Sequence, residues 1–159
     1  MNKINSCMWL RVSVFFLAVS FSVMYGYIIP FFGREAASAM PEFSLWYWPW
    51  FCFLQLTAVP CYIALVLAWK ISDQIKNELS FSVKTAGLLK KIAFLAFADA
   101  GYFFAGNLLL FFLSMNHPAV FFFSHFIIMT GIVIALAADA MSRFVLKAAE
   151  LQEQSDYTL

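Results

Sequence analysis

Asp99 is the first of only two acidic residues between Lys91 and Arg143, in a stretch that carries no basic residue at all. It stands in "AFADAGYFFAGN", about 12 Å beyond Lys91 if the segment is a helix rising 1.5 Å per residue. A charged carboxylate at the centre of a membrane helix costs about 2.5–3.5 kcal/mol on insertion scales. The sequence therefore casts Asp99 as a neutral, hydrogen-bonding acid that pins helix packing. The functional alternative is a proton-responsive switch or a step on a translocation path. Counting the same depth inward from Arg11 and from Lys70 brings Ser20 and Tyr62 to its level, which predicts a polar layer of Ser20, Tyr62 and Asp99.

The other ionisable residues of the apolar stretches suggest less chemistry. Asp139 lies four residues before Arg143, a spacing that places both on one helix face and predicts an interfacial ion pair. Lys90 and Lys91 fall close to the same level across a hairpin and are candidate additional partners. His117 and His125 have no acid or cysteine between them and do not form a metal-ligand pattern. His125 is expected to pack inside its helix pair, with pH sensing as the alternative use. The cysteines are Cys7, Cys52 and Cys61, an odd number without a CxxC spacing, so neither a disulfide framework nor a redox site is expected. No GxSxG, HExxH or phosphate-binding loop is present, and Asp99 and Asp139 differ in depth by about 6 Å, too far apart for an aspartyl dyad. The expectation is a protein without catalytic residues, metal or cofactor.

The elements that must position these residues are set by composition. Of 159 residues, 64% are hydrophobic and 12% charged, against about 45–50% and about 25% in soluble domains. Ten basic and nine acidic side chains cannot clothe a water-soluble domain of this size, so the chain must live in a bilayer. A hydrocarbon core about 30 Å thick needs roughly 20 apolar residues of helix. Four stretches supply them, about 12–32, 45–69, 92–113 and 119–141, within one domain covering 1–159. Helices are required because lipid offers no partners to the backbone. The fold class is thus all-α, a four-helix transmembrane bundle running up-down-up-down.

Turn chemistry marks the joints. "SMNHP" is a tight hairpin between the third and fourth spans, with Pro118 suited to the first helical turn. "GREAASAMPEF" reads as the connection between the first two spans; its A-x-A pattern resembles a signal cleavage site, but Arg34 and Glu35 interrupt the approach and the apolar run is too long for a signal core. In the loop 70–91, Ile71, Ile75 and Leu79 recur at helical spacing, and Ser80 or Ser82 is a candidate N-cap. Small residues repeat at packing distance in Ala96 and Ala100, Gly101 and Ala105, and Gly131 and Ala135. These predict close approach of the last two spans, with a homo-oligomer as the competing use. Gln55, Thr57 and Asn107 are polar groups in mid-membrane that can hydrogen-bond between helices.

Nine of the ten Lys and Arg residues fall on the side of the two termini and the middle loop, and Arg34 alone falls opposite. Positive charge marks the cytoplasmic face, which places both termini, the loop 70–91 and the tail 142–159 in the cytoplasm. A net charge of +1, with no basic patch among aromatics, excludes direct nucleic-acid binding.

"LTAVPCYIAL" from Leu56, "FSVKTAGLLKKIA" from Phe81 and the ending "SDYTL" resemble bacterial domain-of-unknown-function family 2975, a family of small four-span membrane proteins. The resemblance covers most of the chain from about Met40 and brings no catalytic residues with it. Members of the family are often encoded beside a small helix-turn-helix regulator, so the resemblance implies a cytoplasmic regulatory partner. The expected function is a non-enzymatic protein of the bacterial cytoplasmic membrane, in contact with lipid and with a regulatory or sensing partner. Its contact surface would be the middle loop and tail, with Lys84, Lys90, Lys91 and Asp156 the candidate residues. The alternative is a small transporter, channel or proton-responsive element centred on Asp99.

Overall fold

A computed structural model describes residues 3–39, 44–76 and 81–156 of the chain. The first span is one rod in three parts: α1 (Lys3–Val23), a π-helical turn (Met24–Ile28) and α2 (Ile29–Ala39). α3 (Tyr47–Lys76), α4 (Val83–Phe112) and α5 (Pro118–Asp156) follow, and the described residues contain no strand. All four rods are long and apolar enough to cross a membrane. A helix of 30 residues extends about 45 Å, so α3 and α4 exceed the hydrocarbon core and their ends project from it. Cys7 meets Ser72, Gly33 faces Tyr47, Trp50 meets Met115, and Ser142 meets Ala86, so successive rods run antiparallel. The start of the first rod and the end of the last therefore share one end of the molecule, and the 113–117 hairpin lies at the other.

The molecule is apolar outside and polar or small inside. Phe16, Phe94 and Phe126 are each more than 70% exposed, whereas Asn107 and Ser72 are fully buried. In water each such ring would forfeit about 1.5–3 kcal/mol of burial. In lipid that cost vanishes, and what needs shelter is the hydrogen-bonding group.

Local chemistry ends and starts the helices where expected, with two differences. Ser82 adopts an extended conformation and accepts the Thr85 N–H at 3.2 Å, so it is the N-cap of α4. Pro118 opens α5, and Ser114 turns the preceding hairpin with a left-handed φ of 57°. Ile71 and Ile75 continue α3 past the membrane as the spacing predicted, while Leu79 and Ser80 lie outside the described residues. The first difference is that Arg34–Ala39 is helical rather than a connecting loop, because alanines and glutamate favour helix and nothing before Ala39 breaks it. The second is the π-helical turn. Pro30 has no N–H and its ring crowds the preceding turn, and one wider turn before it absorbs the misfit.

The extensive packing follows chain order, α1–α3, α3–α4 and α4–α5, with the last pair the most intimate. Its seam consists of small residues. A Cβ on Gly131 would stand 3.3 Å from the Ala100 Cβ, and Ala93, Ala100 and Ala135 are all buried. Ala96, Ala100, Gly131 and Ala135 thus serve the close approach predicted for them. Gly101 and Ala105 are exposed and face away from that seam. Between α3 and α4 one tight contact is at Gly106, where a Cβ would overlap the Phe53 ring stacked on Phe103.

A candidate intramembrane polar site

The π-helical turn creates a backbone vacancy, and the site is built around it. The Ile29 N–H bonds to Met24 O, in π register. The carbonyl of Tyr25 would next accept from residue 30, which is proline and has no N–H to give. The Gln55 side chain fills that role, donating through Nε2 to Tyr25 O at 3.1 Å. A buried carbonyl in lipid demands such a partner. The same turn aims the Tyr25 hydroxyl at α3, 2.9 Å from Thr57 Oγ1 and 4.0 Å from Cys61 Sγ. Thr57 gives its own proton to Leu54 O at 2.7 Å, so Tyr25 is the donor to Thr57.

Asp99 approaches this group from α4. Its carboxyl lies within electrostatic range of Tyr25, Cys61 and Tyr102. Its Oδ1 is buried and has no hydrogen-bond partner. Tyr102 donates to Phe53 O at 3.3 Å and is thereby committed elsewhere. The polar groups around Asp99 are therefore Tyr25, Cys61 and Tyr102, with Thr57 joined to them through Tyr25. Ser20 is exposed and bonds back to Phe16 O on its own helix, and Tyr62 is exposed and pairs with Ser22 at 3.0 Å. The structure does not bring Ser20 or Tyr62 to Asp99. Counting from Arg11 placed Ser20 at the level of Asp99, whereas the side chain that reaches the Asp99 group is Tyr25, five residues and about 7.5 Å further along the rod; Tyr62 neighbours Cys61 in sequence but turns to Ser22. Thr57 and Gln55 were visible in sequence as mid-membrane polar groups. Tyr25 was not, and the signal that could have found it is Pro30 five residues later.

Two further polar clusters hold the ends. At the hairpin end Asn107 is a hub: its Nδ2 donates to Phe103 O, and its Oδ1 accepts from Asn116 Nδ2 at 3.2 Å and Ser124 Oγ at 2.9 Å. Trp50 Nε1 ties α3 to the same turn through Met115 O at 2.8 Å. At the other end, Arg11 bonds Ser72 through Nε, pairs with Asp73, and lies 5.5 Å from the centre of the Trp69 ring. In the sequence Arg11 served as a topological charge and a depth marker but not as an ion-pair member, because its acid partner lies far away in the chain.

Asp139 pairs with Arg143 at 2.6 Å, as the four-residue spacing predicted. Lys84, Lys90 and Lys91 are exposed, and neither Lys90 nor Lys91 forms a salt bridge to Asp139. Asp156 closes α5, with its side chain and residues 157–159 outside the described residues. His125 bonds Phe121 O and packs edge-on against Phe104 and Phe121, while His117 Nδ1 accepts the Ala119 N–H at the start of α5. No group of three His, Cys, Asp or Glu side chains that could hold a metal occurs among the described residues.

Four apolar rods with a sheltered polar interior define a multi-pass helical membrane protein. The model of the family described as "Protein of unknown function (DUF2975)" matches residues 31–159, and the chain belongs to that family. It is similar to the "Uncharacterized membrane protein YoaS" of Bacillus subtilis (strain 168), 24% identical over 162 residues that span both chains in full. No solved structure matches.

Proposed function

We propose that this protein is a non-enzymatic component of the bacterial cytoplasmic membrane that acts by contact with a cytoplasmic regulatory or sensing protein. The observation that carries this reading is the length of α5. It continues as helix from Arg143 to Asp156, about 20 Å beyond the interfacial ion pair. Past Val145, the last residue of α5 described as buried, the projecting helix presents Leu151 at 58% exposure beside exposed Lys147, Glu150 and Glu153. Exposed Phe81, Val83 and Lys84 at the start of α4 occupy the same end of the molecule. Apolar side chains held rigidly outside the bilayer and rimmed by charge suit a protein partner. The excess of Lys and Arg at this end supports a cytoplasmic location. A cysteine at Ser155 should accordingly label only from the cytoplasmic side. Crosslinking in native membranes, followed by comparison of wild type with Leu151→Asp and with a deletion of 150–159, tests the contact. Both variants should lose the same crosslinked species while still inserting; an unchanged crosslinking pattern would sink the proposal.

A second reading rests on the unpartnered Oδ1 of Asp99 among Tyr25, Thr57 and Cys61. Under it the site carries or senses a proton. Asp99→Asn would then abolish a pH-dependent flux in proteoliposomes, and identical flux in the variant would remove this reading.

A further inference from the structure

Phe53 marks the register of α3 against α4. Its ring meets those of Tyr102 and Phe103, and a Cβ on Gly106 would overlap it. Because the two helices run antiparallel, one turn forward on α3 corresponds to one turn back on α4. That step leads from Phe53 to Thr57, both buried, and from Tyr102 and Phe103 to Asp99. Asp99 is thus level with Thr57, whose hydroxyl lies 2.9 Å from the Tyr25 hydroxyl of the first rod. Three of the four rods meet at this depth.

The hydrogen bonding here leaves one acceptor over. Asp99 Oδ1 is buried without a partner, and lipid supplies none. The hydroxyls around it are committed: Tyr25 to Thr57 Oγ1, Thr57 to Leu54 O, and Tyr102 to Phe53 O. A neutral acid tolerates this arrangement, whereas a carboxylate inside a membrane requires a donor. The titratable groups that face Asp99 are Tyr25 from the first rod, Cys61 from α3 and Tyr102 from α4 itself, with Cys52 beside Tyr102. α5 carries no titratable side chain between Phe126 and Ala138. No lysine, arginine or histidine is among them, so a hydroxyl must answer the charge, a thiol being a weak donor. Tyr25 is half-buried at the junction, whereas Tyr102 is exposed. Thr57 keeps its own bond to Leu54 O if Tyr25 leaves it. The π-helical turn that carries Tyr25 buries no residue, so little packing opposes its movement.

We propose that Asp99 and Tyr25 form a proton-operated latch on the first rod. With Asp99 protonated, the Tyr25 O–H bonds to Thr57 and fastens the rod to α3. When Asp99 releases its proton to solvent, the Tyr25 O–H turns to the carboxylate and fastens the rod to α4 instead. A hydrogen bond to a charged acceptor is about twice as strong as one between neutral groups, which drives the exchange. The latch rests on the reading of Asp99 as a proton-sensing group and adds what the proton moves.

The test is infrared difference spectroscopy of the full chain in phosphatidylcholine vesicles, between acid and alkaline buffer. The protonated carboxyl band of Asp99 is identified by its loss in Asp99→Asn, and the phenol C–O band of Tyr25 by its loss in Tyr25→Phe. In wild type the carboxyl band should disappear and the Tyr25 band should shift over the same pH interval. Asp99→Asn, an isostere of the neutral acid, should hold the Tyr25 band at its acid position throughout. Thr57→Val should displace the acid position of that band and leave its alkaline position unchanged. Tyr102→Phe should preserve the whole response. A carboxyl band that titrates while the Tyr25 band stays fixed would overturn the latch and leave the proton-sensing reading standing. A carboxyl band that never titrates would remove both. A pH response carried by the band that Tyr102→Phe deletes would also overturn the latch.

Discussion

The α4–α5 hairpin and the α1–α2 rod are built on opposite principles. The hairpin closes through small residues, with Ala100 against Gly131 and Ala135 buried, and is clamped at its turn by the Asn107 hub. The first rod buries almost nothing: Cys7 and Val14 are its buried residues among those described, and α2 has none. It is held to α3 by polar links instead, Arg11 to Ser72 and Asp73 at one end and Tyr25 to Thr57 and Gln55 in the middle. In lipid, apolar side chains gain little by moving from tail to neighbour, so helices associate through close backbone approach or through hydrogen bonds. The hairpin uses both means. The first rod uses mainly the second, and it is consequently the part of the molecule with less to hold it in place.

Substitutions can break this contrast from the strong side first. Gly131→Leu forces a branched side chain into the Ala100 contact and should cost about 3 kcal/mol, read as lowered resistance to denaturant in micelles. Asn107→Leu strips Asn116 Nδ2 of its acceptor and leaves Ser124 Oγ to Val120 O; about 2 kcal/mol should be lost, with hydrogen exchange rising first around the 113–117 turn. Gln55→Leu removes the side chain that answers the Tyr25 carbonyl and should cost about 1 kcal/mol, with faster exchange confined to residues 24–33. Pro30→Ala supplies an N–H for that carbonyl, so the double variant should recover most of the loss. A purely additive double-mutant cycle would show that the π-helical turn has another cause. Asp139→Asn, which breaks an ion pair with an 80% exposed Arg143, should change stability by about 0.5 kcal/mol or less.

The comparison also separates what was legible in sequence from what was not. Ser82, Pro118, the Asp139–Arg143 pair and the Ala96, Ala100, Gly131, Ala135 seam could all be read, because each depends on spacing within a helix or on one local cap. Residues that meet across helices were harder. Ser20 and Tyr25 belong to the same apolar span, and only the wider turn before Pro30 explains why the tyrosine is the one bonded to Thr57. Gly106 and Phe53 gave no sign of being partners, although a Cβ on Gly106 would overlap the Phe53 ring. Arg11 and Asp73 are an ordinary ion pair made invisible by sequence separation.

Sequence alone determined that this protein spans a bilayer and how many times it does so. Composition, run length and the fixed rise of a helix settle those quantities one element at a time. Tertiary structure decided which polar groups meet: Asp99 lies near Tyr25, Cys61 and Tyr102, and Ser20 and Tyr62 turn outward. Rotation about a helix axis is fixed by what packs against it, and in lipid that is a matter of a few close approaches and hydrogen bonds between distant parts of the chain.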